Sequence, residues 1–152
     1  MNMYPTYGFF MPNGDILGTV SPFLLAKNPE LFLERGKKAW EQAEVKRNNK
    51  RSIVFEEIGL KEALEKAKKE NKLVFIDAYT AWCQPCVMMG KNVFTLDKVA
   101  DFYNRNFINL KIDFGKEKEL AEKYAVRGYP AFLFLNGNGK LVHAGGGYTE
   151  AD

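Results

Sequence analysis

The sequence predicts an α/β fold in which helices flank a central mixed sheet. Between residues 53 and 124, short apolar runs alternate with segments whose apolar residues recur at helical spacing. Two further apolar runs flank Asn138-Gly139, a dipeptide that is typical of a β-hairpin turn. Strands joined by helices, followed by a hairpin, give a mixed sheet. The length of 152 residues suits one domain or slightly more, and the hydrophobic content of 46% supports a sizeable core.

The predicted elements follow one another at short spacing. Strands are predicted at 52–55, 73–78 and 107–113, and helices at 60–67, 83–92, 96–104 and 117–124. The first of these helices has one apolar face, formed by Leu60, Ala63, Leu64 and Ala67, with lysines and glutamates elsewhere. The run 73–79 is apolar and aromatic, as expected of a buried strand, so the residues after it lie at a strand-to-helix junction.

Both cysteines of the chain lie at this junction, in the motif Trp82-Cys83-Gln84-Pro85-Cys86. Two thiols separated by two residues can close a small disulfide ring at little entropic cost. Cys83 is expected at the helix N-terminus, where free backbone N–H groups and the helix dipole favour its thiolate, so it is predicted to be the nucleophile. Pro85 suits the first helical turn, and Cys86, one turn deeper, is predicted to be the resolving thiol.

Two other interpretations of the cysteine pair are possible. The pair could be half of a structural zinc site, which needs four Cys or His ligands in all. The chain offers only two cysteines and one histidine, His143, which we expect on the hairpin surface. A purely structural disulfide would contribute little, because so short a loop hardly restrains the unfolded chain. A reversible dithiol without metal or organic cofactor is therefore the favoured hypothesis.

Three sequence features resemble the thioredoxin-like family in order and spacing over about residues 53–152. They are Asp77, the motif at 82–86 and Arg127-Gly128-Tyr129-Pro130. The segments 75–78, 88–89 and 93–94 are similar to its exported bacterial branch of thiol:disulfide interchange and disulfide-isomerase-like proteins. The resemblance implies a thioredoxin-like fold.

The resemblance also implies roles for individual residues. Asp77 would be the buried acid beneath the dithiol, with a pKa raised by desolvation, which accepts and returns the proton of Cys86. Pro130 would be the cis-proline that faces the dithiol, and the backbone of Tyr129 would pair with an extended substrate peptide. Trp82 would shield the disulfide and form part of an apolar docking surface.

The chain departs from the family pattern near the thiols. Gln84, which with Pro85 supports the motif, stands where thioredoxin itself has glycine, and Val87 replaces a common lysine. Asn109 occupies the place of a lysine that usually neighbours the buried acid, and Lys111, on the same strand face, can compensate. These changes alter the electric field at the thiols, so neither redox potential nor direction can be carried over from the family.

The predicted function is a thiol:disulfide oxidoreductase that reduces or rearranges disulfides in protein substrates, with another protein supplying or removing electrons. A peptide-binding or chaperone module of the same fold, without redox turnover, is the alternative. The net charge of +3 gives no case for nucleic acid, and no apolar stretch is long enough to span a membrane. The branch resemblance favours the cell envelope or periplasm, with a signal outside this sequence, over the cytoplasm.

An internal repeat occupies the start of the chain. Residues 4–17 echo residues 129–142 at a constant offset of 125, with Tyr-Pro, a phenylalanine and Asn-Gly identical. An amphipathic helix predicted from Asn28 follows the first copy. Residues 1–50 are thus expected to be a partial thioredoxin-like repeat, and residues 51–152 the catalytic domain without its own terminal helix. The first segment either ends a preceding repeat or docks on the catalytic domain, within one chain or by exchange in a homo-oligomer.

Overall fold

The structure is a computed structural model that describes residues 7–12, 14, 16–20 and 28–147. It divides into two compact units, Met1–Asn49 and Lys50–Asp152. The Tyr4-Pro5 pair of the repeat and the last five residues lie outside the described part of the chain. Among the described residues, no helix combines the length and apolar character needed to cross a membrane.

The first unit contains a hairpin and a helix. Strands β1 (Tyr7–Phe10) and β2 (Ile16–Val20) pair antiparallel, and helix α1 spans Pro29–Asn48. The helix begins as predicted, because the Leu31 N–H donates to the Asn28 side chain at 3.2 Å and Pro29 occupies the first turn.

The second unit contains a four-stranded sheet and four helices within its described residues. Its elements are α2 (Leu60–Glu70), β3 (Leu73–Tyr79), α3 (Gln84–Asn92), α4 (Asp97–Asn106), β4 (Phe107–Asp113), α5 (Lys118–Lys123), β5 (Ala131–Leu135) and β6 (Leu141–Gly146). The strand order is β4-β3-β5-β6, with β3 parallel to β4 and the other pairs antiparallel. The predicted mixed sheet flanked by helices is confirmed.

The internal repeat extends to the backbone pairing of the two hairpins. Phe9 pairs with Gly18 in the first hairpin, and Phe134 pairs with His143 in the second. Each residue of the second pair lies 125 positions after its counterpart in the first. Both hairpins also shift register at equivalent steps, after Phe9 and after Phe134. The two hairpins therefore have the same register and the same irregularity.

The hairpin turns match as well. The Gly14 N–H donates to the Met11 carbonyl and the Gly139 N–H to the Asn136 carbonyl, both at 2.9 Å. The two glycines have φ values of +89° and +77°, a region that favours glycine. The hairpin predicted around Asn138-Gly139 is thus confirmed, and β1 and β2 form a second one. The assignment of residues 1–50 to a preceding or docking repeat stays a prediction.

The two faces of the sheet have different cores. Side chains alternate along a strand, so Val74, Ile76 and Ala78 of β3 share one face and pack with Ala63 and Ala67 of α2. On the opposite face, Phe75 packs with Met89 of α3 and with the aromatic rings of α4, β4 and β5. Asp77 lies on this second face, the one that α3 covers.

The predicted strand at 52–55 is wrong, since the structure shows no regular strand there. One side chain of α4 bonds the segment at two points. Asn104 accepts a hydrogen bond from the Val54 N–H at 2.9 Å and donates one to the Ser52 carbonyl at 3.0 Å. These bonds satisfy backbone groups that a strand ladder would otherwise pair.

We predict that Asn104→Ala lowers the free energy of unfolding of the second unit by about 1–2 kcal/mol, because it leaves the backbone groups of the 52–54 segment without their partner. Chemical denaturation of the full chain measures the effect. Asn106→Ala is the matched control, because Asn106 bonds only the Phe102 carbonyl of its own helix among the contacts that the structure gives. Equal losses in the two variants would contradict this role of Asn104.

Candidate active site

The two cysteines lie where β3 gives way to α3. The Cys83 N–H donates to the Thr80 carbonyl at 3.1 Å, which closes the turn after the strand. Cys83 is the N-cap of α3, and its sulfur accepts a hydrogen bond from the Cys86 N–H at 3.2 Å. This places the sulfur of Cys83 against the free N–H groups and the positive dipole end of the helix, as the sequence predicts.

The cysteines form a disulfide with an S–S distance of 2.00 Å and a Cα–Cα distance of 5.3 Å. Both side chains are buried. His143 lies on β6 opposite Phe134, which pairs with Phe75, so it is not level with the end of β3 that leads to the dithiol. Among the described residues, no group of three or more Cys, His, Asp or Glu side chains could hold a metal ion.

Asp77 is fully buried on the face of the sheet that α3 covers. Neither of its carboxylate oxygens has a hydrogen-bond partner within the described part of the chain. Burial raises the pKa of Asp77 from 3.8 to about 6, and the nearby positive charge of Lys111 opposes the rise. The carboxyl group can therefore gain or lose a proton near neutral pH.

Lys111 is the cation that faces this acid. It pairs with Asp77 across β3 and β4, and its Nζ lies 3.7 Å from Asp77 Oδ2, too long for a direct hydrogen bond, so it acts mainly through its charge. Asn109 pairs instead with Phe75 and donates to the Val54 carbonyl at 3.3 Å. Lys111 shares the strand face of Asn109, as expected, and it is Lys111 that lies opposite the acid.

Pro130 lies at the same edge of the sheet as the dithiol. The Tyr129–Pro130 peptide bond is cis, and the proline side chain is buried. The next residue, Ala131, begins β5 and pairs with Ala78, near the end of β3 that leads to the cysteines. Tyr129 packs at the margin of the core. The antiparallel pairing of β3 with β5 thus brings two distant sequence motifs to one edge.

The Trp82 side chain is exposed, at 75%. Its indole lies across the turn after β4, where a Cβ on Gly115 would be 3.4 Å from the ring. The Gly115 N–H donates to Asp113 Oδ1 at 3.0 Å, which shapes this turn. The sequence pattern does not identify Gly115, since its only signal is a glycine two residues beyond a predicted strand.

The other motif residues form the outer surface of the first turns of α3. Gln84 and Pro85 are exposed, with the proline in the first turn as predicted. Val87 and Met88, one turn further, are also exposed. The surface around the buried disulfide is consequently uncharged along this part of the helix.

The fold and the site define a thiol–disulfide oxidoreductase: a cysteine pair lies at the N-terminus of a helix, and that helix covers the sheet face that carries a buried acid of raised pKa. Residues 60–152 match the family profile described as a thioredoxin-like domain, more than half of the chain. The protein belongs to the thioredoxin-like family.

Individual relatives agree with this assignment. A solved protein from Bacteroides thetaiotaomicron, proposed to be a disulphide isomerase, is 43% identical, with a TM-score of 0.61 over 67% of this chain and 87% of its own. Thioredoxin-1 of Drosophila melanogaster is 40% identical over 77 residues, 51% of this chain and 69% of its own length. The thioredoxin NaTrxh of Nicotiana alata is 26% identical, with a TM-score of 0.52 over 66% of this chain and 85% of its own. Other curated relatives are covered over as little as 43% of their length.

The raised pKa of Asp77 predicts how the stability of the protein depends on pH. Since the folded-state pKa of about 6 lies above the ordinary value of 3.8, the folded protein binds this proton more tightly than the unfolded chain does. The stabilising effect is fully present below pH 3.8 and is lost as the pH rises through about 6. We therefore expect Asp77→Asn to stabilise the oxidised protein by up to about 3 kcal/mol above pH 7, and not at pH 4.

Denaturant unfolding of both proteins at pH 4 and pH 8 measures this difference. Asp101→Asn is the control of opposite sign, because hydrogen bonds from Arg51 lower the pKa of Asp101. That variant should lose stability at pH 8 and lose less at pH 4. An Asp77→Asn protein that is less stable than its parent at pH 8 would contradict the prediction.

Proposed function

We propose that the protein reduces or rearranges disulfide bonds in other proteins by thiol–disulfide exchange at Cys83 and Cys86. The observation that carries the proposal is the hydrogen bond from the Cys86 N–H to the Cys83 sulfur at the start of α3. In the reduced protein, this environment favours a Cys83 thiolate over the thiol. Cys83 is consequently the attacking sulfur.

In the first step, the Cys83 thiolate attacks one sulfur of a substrate disulfide. A bond forms between Cys83 and that sulfur, and the other substrate sulfur leaves as a thiolate. The result is a mixed disulfide between protein and substrate. Attack by another substrate thiolate on the mixed disulfide would release a rearranged substrate, which is the isomerase outcome.

In the second step, Cys86 resolves the mixed disulfide. The Cys86 thiol gives its proton to the Asp77 carboxylate, and the resulting thiolate attacks the Cys83 sulfur. The Cys83–Cys86 disulfide forms, and the substrate sulfur leaves as a thiolate that solvent protonates. A pKa of about 6 suits Asp77 to this transfer, because its carboxylate is available at neutral pH. A partner dithiol protein then reduces the disulfide by the reverse sequence.

The surface around the dithiol would bind the substrate. We assign an apolar contact to the exposed indole of Trp82, and backbone pairing with an extended substrate segment to Tyr129, which precedes the cis Pro130. Gln84 and Pro85 line the exposed turn beside the sulfurs. The position of Pro130 at the same sheet edge supports this arrangement.

The setting of the reaction is also a proposal. Similarity to the Bacteroides protein proposed to be a disulphide isomerase supports disulfide-containing protein substrates and a location in the cell envelope, with the cytoplasm as the alternative. For residues 1–50, the shared hairpin register supports a second, partial copy of the family's closing hairpin and helix. Oligomer formation by exchange of this segment stays a prediction.

We predict that Cys83→Ser abolishes insulin reduction, whereas Cys86→Ser accumulates a mixed disulfide with the substrate, because only the resolving thiol is missing. Turbidity follows the reduction, and non-reducing electrophoresis with mass spectrometry follows the adduct. Lys91→Ala, an exposed change on the same helix, is expected to keep full activity. An inactive parent, or an adduct that persists equally in Cys83→Ser, would refute the mechanism.

The redox potential of the cysteine pair separates reductase from isomerase. Equilibration with glutathione mixtures, followed by alkylation with a mass tag, measures it. A value near about −270 mV would assign a thioredoxin-like reductant, and one between about −180 and −120 mV an isomerase or oxidant.

A peptide-binding module without redox turnover is the second candidate. The observation that favours it is the apolar exposure of Trp82, Val87 and Met88 beside the site. Peptide affinity that survives replacement of both cysteines by serine, in a protein that does not reduce insulin, would support this candidate over exchange.

A further inference from the structure

The Lys111 ammonium lies beside Asp77 and within reach of two aromatic rings. Its Nζ is 3.7 Å from Asp77 Oδ2, 5.1 Å from the centre of the Tyr79 ring and 5.8 Å from the centre of the Phe55 ring. Both ring distances fall in the range over which an aromatic face attracts a cation. The cation thus lies near the buried acid and near the faces of two aromatic rings.

The backbone determines where these rings lie. Tyr79 is two residues beyond Asp77 on β3 and shares its face of the sheet. Phe55 belongs to the 53–56 segment, which is bound to β4 by a 2.9 Å hydrogen bond from Glu56 N–H to the Asn109 carbonyl. The Phe55 ring also packs 5.8 Å from that of Phe94. Neither ring is held by Lys111 alone.

A lysine in this position needs such restraint. Its side chain is 39% exposed and has four flexible methylene groups, so water competes with the acid for the ammonium. Asp77 is buried without a hydrogen-bond partner among the described residues, and its protonation therefore responds strongly to the mean position of a nearby charge. The rings restrict the ammonium to the neighbourhood of the carboxylate.

We infer that Phe55 and Tyr79 are positioning residues that hold the Lys111 ammonium beside Asp77, and that this arrangement sets the pH at which Cys86 resolves the mixed disulfide. The inference rests on the proposed function for its kinetic part only. The proton that moves is the one that Cys86 gives to Asp77.

Among the described residues, Lys111 is the one charged group that shifts the pKa of Asp77. Asp113, two residues beyond Lys111 on the same face of β4, accepts the Gly115 N–H through its Oδ1 at 3.0 Å. The β5 residue in register with Asp77 is Phe132, and the buried residues of α3 are Cys86 and Met89. On α4, the titratable Tyr103 packs on Phe75, and burial raises its pKa. In the 53–56 segment, the Glu56 carboxylate accepts hydrogen bonds from Lys66 at 2.7 and 2.8 Å.

The first test measures the pKa of Asp77 in the oxidised protein, by following its carboxyl carbon with NMR across pH. Loss of the cation in Lys111→Met should raise the pKa above about 6, since the carboxylate loses its favourable charge. Phe55→Leu and Tyr79→Leu should raise it by less, and Lys111→Arg should leave it close to the parent value.

Phe107→Leu is the matched control for a general loss of packing. Phe107 belongs to the same aromatic cluster, with its ring 6.4 Å from that of Phe75, but the structure gives it no contact with Lys111. It should lower stability without changing the pKa of Asp77. Equal pKa values in Lys111→Met and the parent, or a rise in Phe107→Leu as large as in Phe55→Leu, would overturn the inference.

The second test follows the resolving step by stopped flow as a function of pH. A pKa of Asp77 that is one unit higher lowers the rate about tenfold on the acid side of the profile. In an Asp77→Asn background, Phe55→Leu and Lys111→Met should no longer shift the profile. If the pKa values change as expected but no variant or parent exchanges disulfides, the proposed function fails while the positioning role stands.

Discussion

The buried carboxylate of Asp77 is the constraint on which the rest of this site depends. A carboxylate in an apolar core is costly unless it becomes neutral or acquires a partner. β3 is paired on both sides, so the register of Asp77 cannot slip without moving every side chain of the strand to the opposite face. The acid is thereby held on the face covered by α3, whose N-terminus carries both sulfurs.

This constraint accounts for the division of roles between Asn109 and Lys111 on β4. Asn109 lies opposite Phe75, where its amide bonds the Val54 carbonyl and the side chain of Asn104. Lys111, two residues nearer the dithiol edge, lies opposite the acid itself. The positive charge of β4 thus lies opposite the proton-carrying group and not opposite Phe75. An uncharged amide at 109 is free to attach the 52–56 segment to the sheet.

The sequence was sufficient to predict the features that depend on local pattern. The strand before the cysteines, the helix that begins at them and the placement of Lys111 on the same strand face as Asn109 all follow from apolar spacing and alternation. The strand at 52–55 was wrong because an amide from α4, far along the chain, takes its hydrogen bonds. Phe55, Tyr79 and Gly115 acquire their roles only through tertiary contacts, which no spacing rule encodes.

The convergence of the two motifs follows from topology more than from individual side chains. β3 ends where β5 begins because the two strands are antiparallel, so the cysteine motif and Pro130 must share an edge. A Cβ on Gly146 would lie 2.8 Å from the Pro130 carbonyl oxygen, which also accepts the Gly147 N–H at 3.0 Å; β6 therefore closes tightly against this turn. Residues on the outer surface of α3, such as Gln84 and Val87, are under no such restriction. Departures from the family pattern at those positions can consequently change the potential of the dithiol while the geometry of the site is kept.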